Sequence, residues 1–383
     1  MKVSFTKPYF AASLLLAAAA FTISCTVGNG PGPCPLAGAA GSNCCNGNIA
    51  CVFSEFLYAT ALNQVVSFSI NNGTGVPTMQ ASVAFPNDSG GVLSAFGTIF
   101  VYVSDSPSNK VYGFSSVAGS LTPIPGSPFS GVTAPGRLAY NGKFLCAPNS
   151  TSNNVSIFSI FNGGQNGPLT AVAGSPFPAG SGPTAAAFGA IHFLYVSNST
   201  DPQGGISGYS IDQNTGALTP VPGSPFATLP NAGPGGIVVP GAGKLLFVAL
   251  TNRASVAAFS VDSNTGALTP VPGSPFAAGS QPLDIAADEA GSYVYTADGT
   301  GNTITGFAIG SNGVLTPVPG SPFAAGTTPS RLIVDHFGRL YVTNNASNNI
   351  SGFSLNTATG ALTPLSGSPF TAGTQPISIT SGL

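Results

Sequence analysis

Short apolar runs, each closing on small or polar residues, recur along this chain from residue 57 almost to its end. Seven of them align: Leu57-Tyr58-Ala59-Thr60, Val101-Tyr102-Val103-Ser104, Leu145-Cys146-Ala147, Leu194-Tyr195-Val196-Ser197, Leu246-Phe247-Val248, Val294-Tyr295-Thr296 and Leu340-Tyr341-Val342-Thr343. A second landmark, Gly-Ser-Pro-Phe, occurs six times, with its Phe at 129, 177, 226, 276, 323 and 370, spaced 47 to 50 residues apart. Apolar runs of four to six residues bounded by turn formers read as strands rather than helices. Residues 329–373 show the unit. Arg331–Val334 is a first strand, Arg339–Thr343 a second, Ile350–Leu355 an alternating third and Leu362–Phe370 a fourth, each followed by a polar or Gly-containing turn.

Self-similarity at this period with four strands per unit is the mark of a propeller blade. The pattern predicts an all-β, seven-bladed β-propeller over residues 53–383, four antiparallel strands to a blade. Leu-Thr-Pro-x-Pro-Gly-Ser-Pro-Phe puts up to three prolines into the fourth strand, as at Pro317, Pro319 and Pro322. Proline donates no ladder hydrogen bond, so the fourth strand is the outer edge, where proline also discourages edge-to-edge association. The recurrent Phe is expected to fold back between neighbouring blades, each contributing about 1.5–3 kcal/mol on burial. The count of strands leaves blade 1 without a first strand and leaves Pro376–Thr380 without a blade. The C-terminal strand is therefore expected to pair with Leu57–Thr60 and close the ring, with Ile49–Phe53 as the competing strand.

The N-terminal 24 residues follow another pattern. Lys2 and Lys7 flank an apolar run of 15 residues, Tyr9–Ile23. That is short for a bilayer span and reads as a secretory signal peptide. Thr22-Ile23-Ser24-Cys25 resembles a lipobox, with Thr22 where Leu is usual, which makes Cys25 the candidate lipidation site beside ordinary signal cleavage. Residues 25–52, rich in Gly, Pro, Ala and Asn, read as a linker or stalk. The expected location is extracytoplasmic: secreted, periplasmic or lipid-anchored to the envelope. Cys34, Cys44, Cys45 and Cys51 fit two disulfides in an oxidising compartment. Their spacing lacks the close pairs and the His of a zinc site. Cys146, inside a core strand, reads as a buried free thiol.

Charge narrows the function classes. Charged residues are 5% of the chain, against ~25% in ordinary domains. Beyond residue 24 there are 7 Lys and Arg against 11 Asp and Glu, a net charge of −4. That excludes a basic nucleic-acid footprint. A ring closed by its own C-terminal strand has no need to oligomerise, so a monomer is expected, touching membrane only through an N-terminal lipid.

The units look like the Tyr-Val-Thr-Asn propeller repeat, most fully at Leu340-Tyr341-Val342-Thr343-Asn344, and Thr-Gly-Ala-Leu-Thr-Pro recurs at 215–220, 265–270 and 359–364. Over residues 53–383 the chain resembles the seven-bladed lactonase-like family that includes propeller-type 6-phosphogluconolactonase and the carboxymuconate-cyclising enzymes. The resemblance implies hydrolysis of a lactone without a cofactor. No catalytic residue of that family is carried over.

Candidate chemistry is read from the residues instead. The residue two past each blade's leading Pro should face the central channel: Ser378, Gly91, Arg137, Ala185, Gly236, Asp284 and Arg331. Two arginines and an aspartate at this one level, in a chain with four arginines, make Arg137, Asp284 and Arg331 the candidate catalytic site. Arg331 and Asp284 lie on adjacent blades and could pair. The arginines could hold a carboxylate or a lactone oxyanion, with Asp284 orienting one of them or activating water. The plainer alternative is an ion pair across the channel. His192 and His336 have no motif partner. Asp212-x-Asn214-x-Gly216 and Asp262-x-Asn264-x-Gly266 faintly resemble calcium loops but read as side-chain-capped turns. The Asn- and Ser-rich turns after the second strands suit neutral hydrogen bonding to a carbohydrate-like ligand. Two functions follow: an exported hydrolase of a neutral or monoanionic lactone, or a non-catalytic surface binding or structural module. The anionic, cytosolic 6-phosphogluconolactone fits an exported, cation-poor chain poorly.

Overall fold

The computed structural model describes residues 55–85, 89–95, 100–162, 165–189 and 192–382, with the backbone of 24–27, 30–33 and 50–51. The signal segment, most of the linker, and the side chains of Cys25, Cys34, Cys44, Cys45 and Cys51 lie outside the described residues. Two compact units divide the chain, Met1–Ser54 and Glu55–Leu383. In the first, Ser24–Val27 pairs with Gly30–Pro33 and Ala50–Cys51.

The second unit is a ring of seven antiparallel sheets. Alternation and strand length produce the expected order, first strand innermost. The seven first strands are Ser378–Gly382, Ser89–Ala95, Ala139–Tyr140, Pro183–Phe188, Pro234–Val238, Pro282–Ala287 and Pro329–Val334, for blades 1 to 7. Blade 1 takes its first strand from the C-terminus: Ser378 pairs with Thr60 and Gly382 with Phe56. The alternative Ile49–Phe53 strand is not used there, since Ala50–Cys51 pairs within the first unit.

Seven hydrophobic layers hold the ring, one between each pair of neighbouring blades. Their centres are second-strand residues, since the second strands are buried on both faces. Tyr58, Tyr102, Tyr195, Tyr295 and Tyr341 are fully buried. A buried phenol needs a partner. Four of these hydroxyls donate to a glycine carbonyl of the next blade, in or just past the turn between its third and fourth strands: Tyr102 to Gly167, Tyr195 to Gly266, Tyr295 to Gly360 and Tyr341 to Gly75, at 2.5 to 2.8 Å. Tyr58 meets Ser116 Oγ at 2.7 Å. The position is Cys146 in blade 3, a buried free thiol as expected, and Phe247 in blade 5.

The fourth strand departs from expectation. It breaks into two pieces, as in Leu268–Pro270 and Phe276–Ala277, and both pair with the third strand. Prolines force the break, and the serine of Gly-Ser-Pro-Phe repairs it. Ala258 N–H donates to Ser274 Oγ at 2.9 Å, so a side chain supplies the acceptor that the interrupted ladder lacks. Ser127, Ser175, Ser224, Ser321 and Ser368 do the same at 2.9 to 3.0 Å. The following Phe is also placed differently. Only Phe129 is buried; the other five are half-buried at the margin of the layer. The ring lies over its own third strand: a Cβ on Gly352 would sit 2.9 Å from Phe370. The tyrosines and aliphatic residues, more than the Phe, fill the space between blades.

Candidate site at the channel mouth

Each first strand begins at the end of the ring where second strands finish, so this end carries the channel mouth. In five blades a β-bulge sits there, between Ser89/Gly91, Pro183/Ala185, Pro234/Ile237, Pro282/Asp284 and Pro329/Arg331. A bulge re-aims the side chain it carries. It turns Asp284 and Arg331 out of the regular pleat.

Hydrogen bonds cross every seam at this level. Val92 N–H donates to Ser378 Oγ, Ser104 Oγ to Gly136 O, Arg137 N to Thr184 O, Ser197 Oγ to Gly235 O, Thr251 Oγ1 to Pro282 O and Ser330 Oγ to Ile377 O, at 2.6 to 3.1 Å. At the seventh seam, Leu332 N–H donates to Asp284 Oδ2 at 3.2 Å. Here the acceptor is an ionisable side chain. The belt brings strands so close that side chains are excluded. A Cβ on Gly136 would lie 2.3 Å from Thr184 O, and one on Gly236 2.2 Å from Asp284 Oδ1.

The three candidate residues converge, with a pairing different from the expected one. Asp284, fully buried, forms its ion pair with Arg137, three blades away, through Oδ1 and Nη1. The pair therefore spans the channel. Arg331, although next door to Asp284, makes only long contacts to carbonyls, Leu283 O and Ser330 O, each at 3.4 Å. Its buried Nε–H has no partner among the described residues. Asp284 has one oxygen committed to Arg137 and the other to Leu332, so Arg331 is left with donors to spare. Burial holds the Arg331 guanidinium below the ordinary arginine range; Asp284 opposes that shift and Arg137 adds to it. It stays charged at neutral pH, as arginine does.

Neither histidine joins this site. His336 and His192 sit at the opposite end, in turns between first and second strands. His336 Nδ1 meets Glu289 at 2.7 Å with both side chains more than half exposed. Asp212 and Asp262 cap their own turns, each accepting two backbone N–H bonds at 2.8 to 2.9 Å, which holds their carboxyls below the usual range. Among the described residues no cluster of His, Cys, Asp and Glu could hold a metal ion.

Sequence reasoning missed a second ionic cluster, also at the opposite end. Arg339 Nε meets Asp335 at 2.6 Å, its Nη2 meets Glu55, and its Nη1 donates to Asn71 O at 3.3 Å, all between blades 7 and 1. Burial, then the Asp335 charge, pushes Glu55 up to about 8, with Arg339 opposing. The available signal was opposite charges at adjoining second-strand starts, Glu55 and Arg339.

A family model described as "Lactonase, 7-bladed beta-propeller" matches residues 185–281 and 270–378, together more than half of the chain. No curated protein matches it. Solved structures share the fold at low identity. A candidate 6-phosphogluconolactonase from Bacteroides fragilis is 19% identical, with a TM-score of 0.74 over 86% of this chain and 98% of its own. One from Bacteroides uniformis is 18% identical, with a TM-score of 0.73 over 86% and 99%. A periplasmic gluconolactonase from Pseudomonas aeruginosa is 15% identical, with a TM-score of 0.70 over 86% and 99%.

Proposed function

Because the chain belongs to the lactonase family of seven-bladed β-propellers, we propose that it hydrolyses a lactone at the channel mouth, outside the cytoplasm. The observation that carries this reading is Arg331, at the channel-mouth level, whose buried Nε–H has no partner among the described residues. A lactone carbonyl placed against it gains charge on oxygen as hydroxide adds, and a donor fixed in advance stabilises that oxyanion. Arg137, held by Asp284, supplies a second positive edge. Collapse of the oxyanion breaks the ring C–O bond, the departing alkoxide takes a proton from water, and the hydroxycarboxylate is released. Both Asp284 oxygens are occupied, so Asp284 positions Arg137 rather than activating water, and solvent hydroxide is the nucleophile. The substrate class is a neutral or monoanionic lactone. The basic N-terminus and lipobox-like Cys25 support a location in the envelope or beyond, as does the periplasmic gluconolactonase of like fold. No cofactor is required.

The test is pH-stat hydrolysis of sugar and aliphatic lactones by the wild-type chain and by Arg331→Gln. Turnover rising with pH, and lost in a folded Arg331→Gln variant, supports the proposal. No turnover above buffer for any lactone rejects it. The same full engagement of Asp284 favours a second reading, a monomeric surface module that binds a carbohydrate-like ligand without turnover. Saturable binding to the wild type with product absent would establish that one.

A further inference from the structure

Beyond residue 24 the chain has seven Lys and Arg. Six have acceptors: Lys110 on Ser130, Arg137 on Asp284, Lys143 on Gln213 O, Arg253 on Pro230 O, Arg331 on two carbonyls, and Arg339 on Asp335 and Glu55. Lys244 is the one cation without a partner among the described residues. The ring contains its own control for this difference. Lys143 and Lys244 occupy the same place, two residues before the apolar run of the second strand, in blades 3 and 5. Lys143 Nζ reaches the next blade and donates to Gln213 O at 2.5 Å, while lying 5.2 Å over the Phe144 ring.

At the seam between blades 5 and 6 both supports are missing. Leu245 stands where Phe144 does. The facing turn is a residue shorter: Gly310 N bonds to Val314 O, where Asp212 N bonds to Ala217 O. Gly310 also lacks the carboxylate with which Asp212 folds its turn. The shortened turn leaves a notch of about 480 Å³, lined by Lys244, Ser260, Ser263, Ser311 and Asn312, with no acidic residue in its wall. It lies at the opposite end of the ring from the channel mouth.

We propose that this notch binds a small oxyanion of phosphate or carboxylate type, with Lys244 as its charged anchor and the Ser263 and Ser311 hydroxyls and the Asn312 amide as its neutral donors, the Ser260 hydroxyl being already donated to Thr269 O. An ammonium is a compact, three-donor point charge suited to such a group. The site is independent of the channel-mouth reading.

The experiment is calorimetric titration of the full chain with inorganic phosphate and, separately, acetate, at low ionic strength. Saturable binding of either anion that weakens at least about tenfold in Lys244→Gln, and persists in Lys143→Gln, supports the site and tells the two chemistries apart. Replacing Gly310–Gly313 by Asp-Gln-Asn-Thr-Gly restores the longer turn and should abolish binding with Lys244 intact. Binding that survives Lys244→Gln, binding lost in Arg331→Gln instead, or no saturable binding by the wild type overturns the proposal.

Discussion

Tyr341, in the last blade, donates its hydroxyl to the carbonyl of Gly75, in the first, at 2.6 Å. The two residues are 266 positions apart and both ends of the bond are out of water. The bond reinforces the seam beside which the two ends of the propeller meet. It also explains why Gly75, at φ 73°, must be glycine: the turn needs a left-handed residue, and a Cβ there would lie 2.7 Å from Arg339 Cδ.

Tyr341→Phe leaves the Gly75 carbonyl without this partner while barely changing the packed volume. It should lower stability by about 1–3 kcal/mol, seen as a lower midpoint in denaturant with an unchanged slope. An unchanged midpoint would mean the latch carries no net stability.

Stability should fall as pH rises. Glu55 keeps its proton in the folded ring to about 8, against its ordinary 4.5. Between those values the native state binds more protons than the unfolded one, so each step up in pH lowers stability, and the loss levels off above about 8. Urea unfolding from about pH 5 to about pH 9 measures it, because that window covers most of the interval over which the two states differ in bound protons and extends past its upper end. Glu55→Gln should flatten the slope, and a wild-type stability that rises across the same window would refute the assignment.

The two channel arginines should separate by stability. Arg137→Gln strips the buried Asp284 carboxylate of its charge partner and should cost about 3–5 kcal/mol. Arg331→Gln removes only long contacts and should cost no more than about 1 kcal/mol. Thermal unfolding of the two variants distinguishes them; equal losses would refute the assigned pairing.

The repeated serine is testable by repetition. Ser274→Ala leaves Ala258 N–H unpaired and should cost about 1–3 kcal/mol. Ser368→Ala, two blades away, should cost a similar amount, and the pair should add. A neutral Ser274→Ala would show that another group reaches Ala258.

Much of this molecule is legible before folding. Apolar runs at a fixed period locate the strands, and the spare strand at Pro376–Thr380 locates the closure, because strand pairing is governed by local pattern. The leading Pro of each blade places Arg137, Asp284 and Arg331 at one level of the channel for the same reason. Which arginine meets Asp284 is not local. It depends on reach across the ring, where Arg137 from three blades away meets Asp284 and the adjacent Arg331 reaches only carbonyls. The hydroxyl belt is hidden too, since Ser104, Ser197, Thr251 and Ser330 look in sequence like ordinary polar residues. The Phe of Gly-Ser-Pro-Phe misleads because apolar character predicts burial but not which surface supplies it.

Closure by Ser378–Gly382 also fixes an order of events. Blade 1 begins before the other six and is finished after them, waiting for its innermost strand until Ser378–Gly382 has been made. A polypeptide still emerging from the ribosome, or still being threaded through a pore, holds six complete blades at most and an arc rather than a ring. Completion is therefore reported by residues 378–382: a chain truncated before Ser378 would carry the second and third strands of all seven blades and still lack a closed circle.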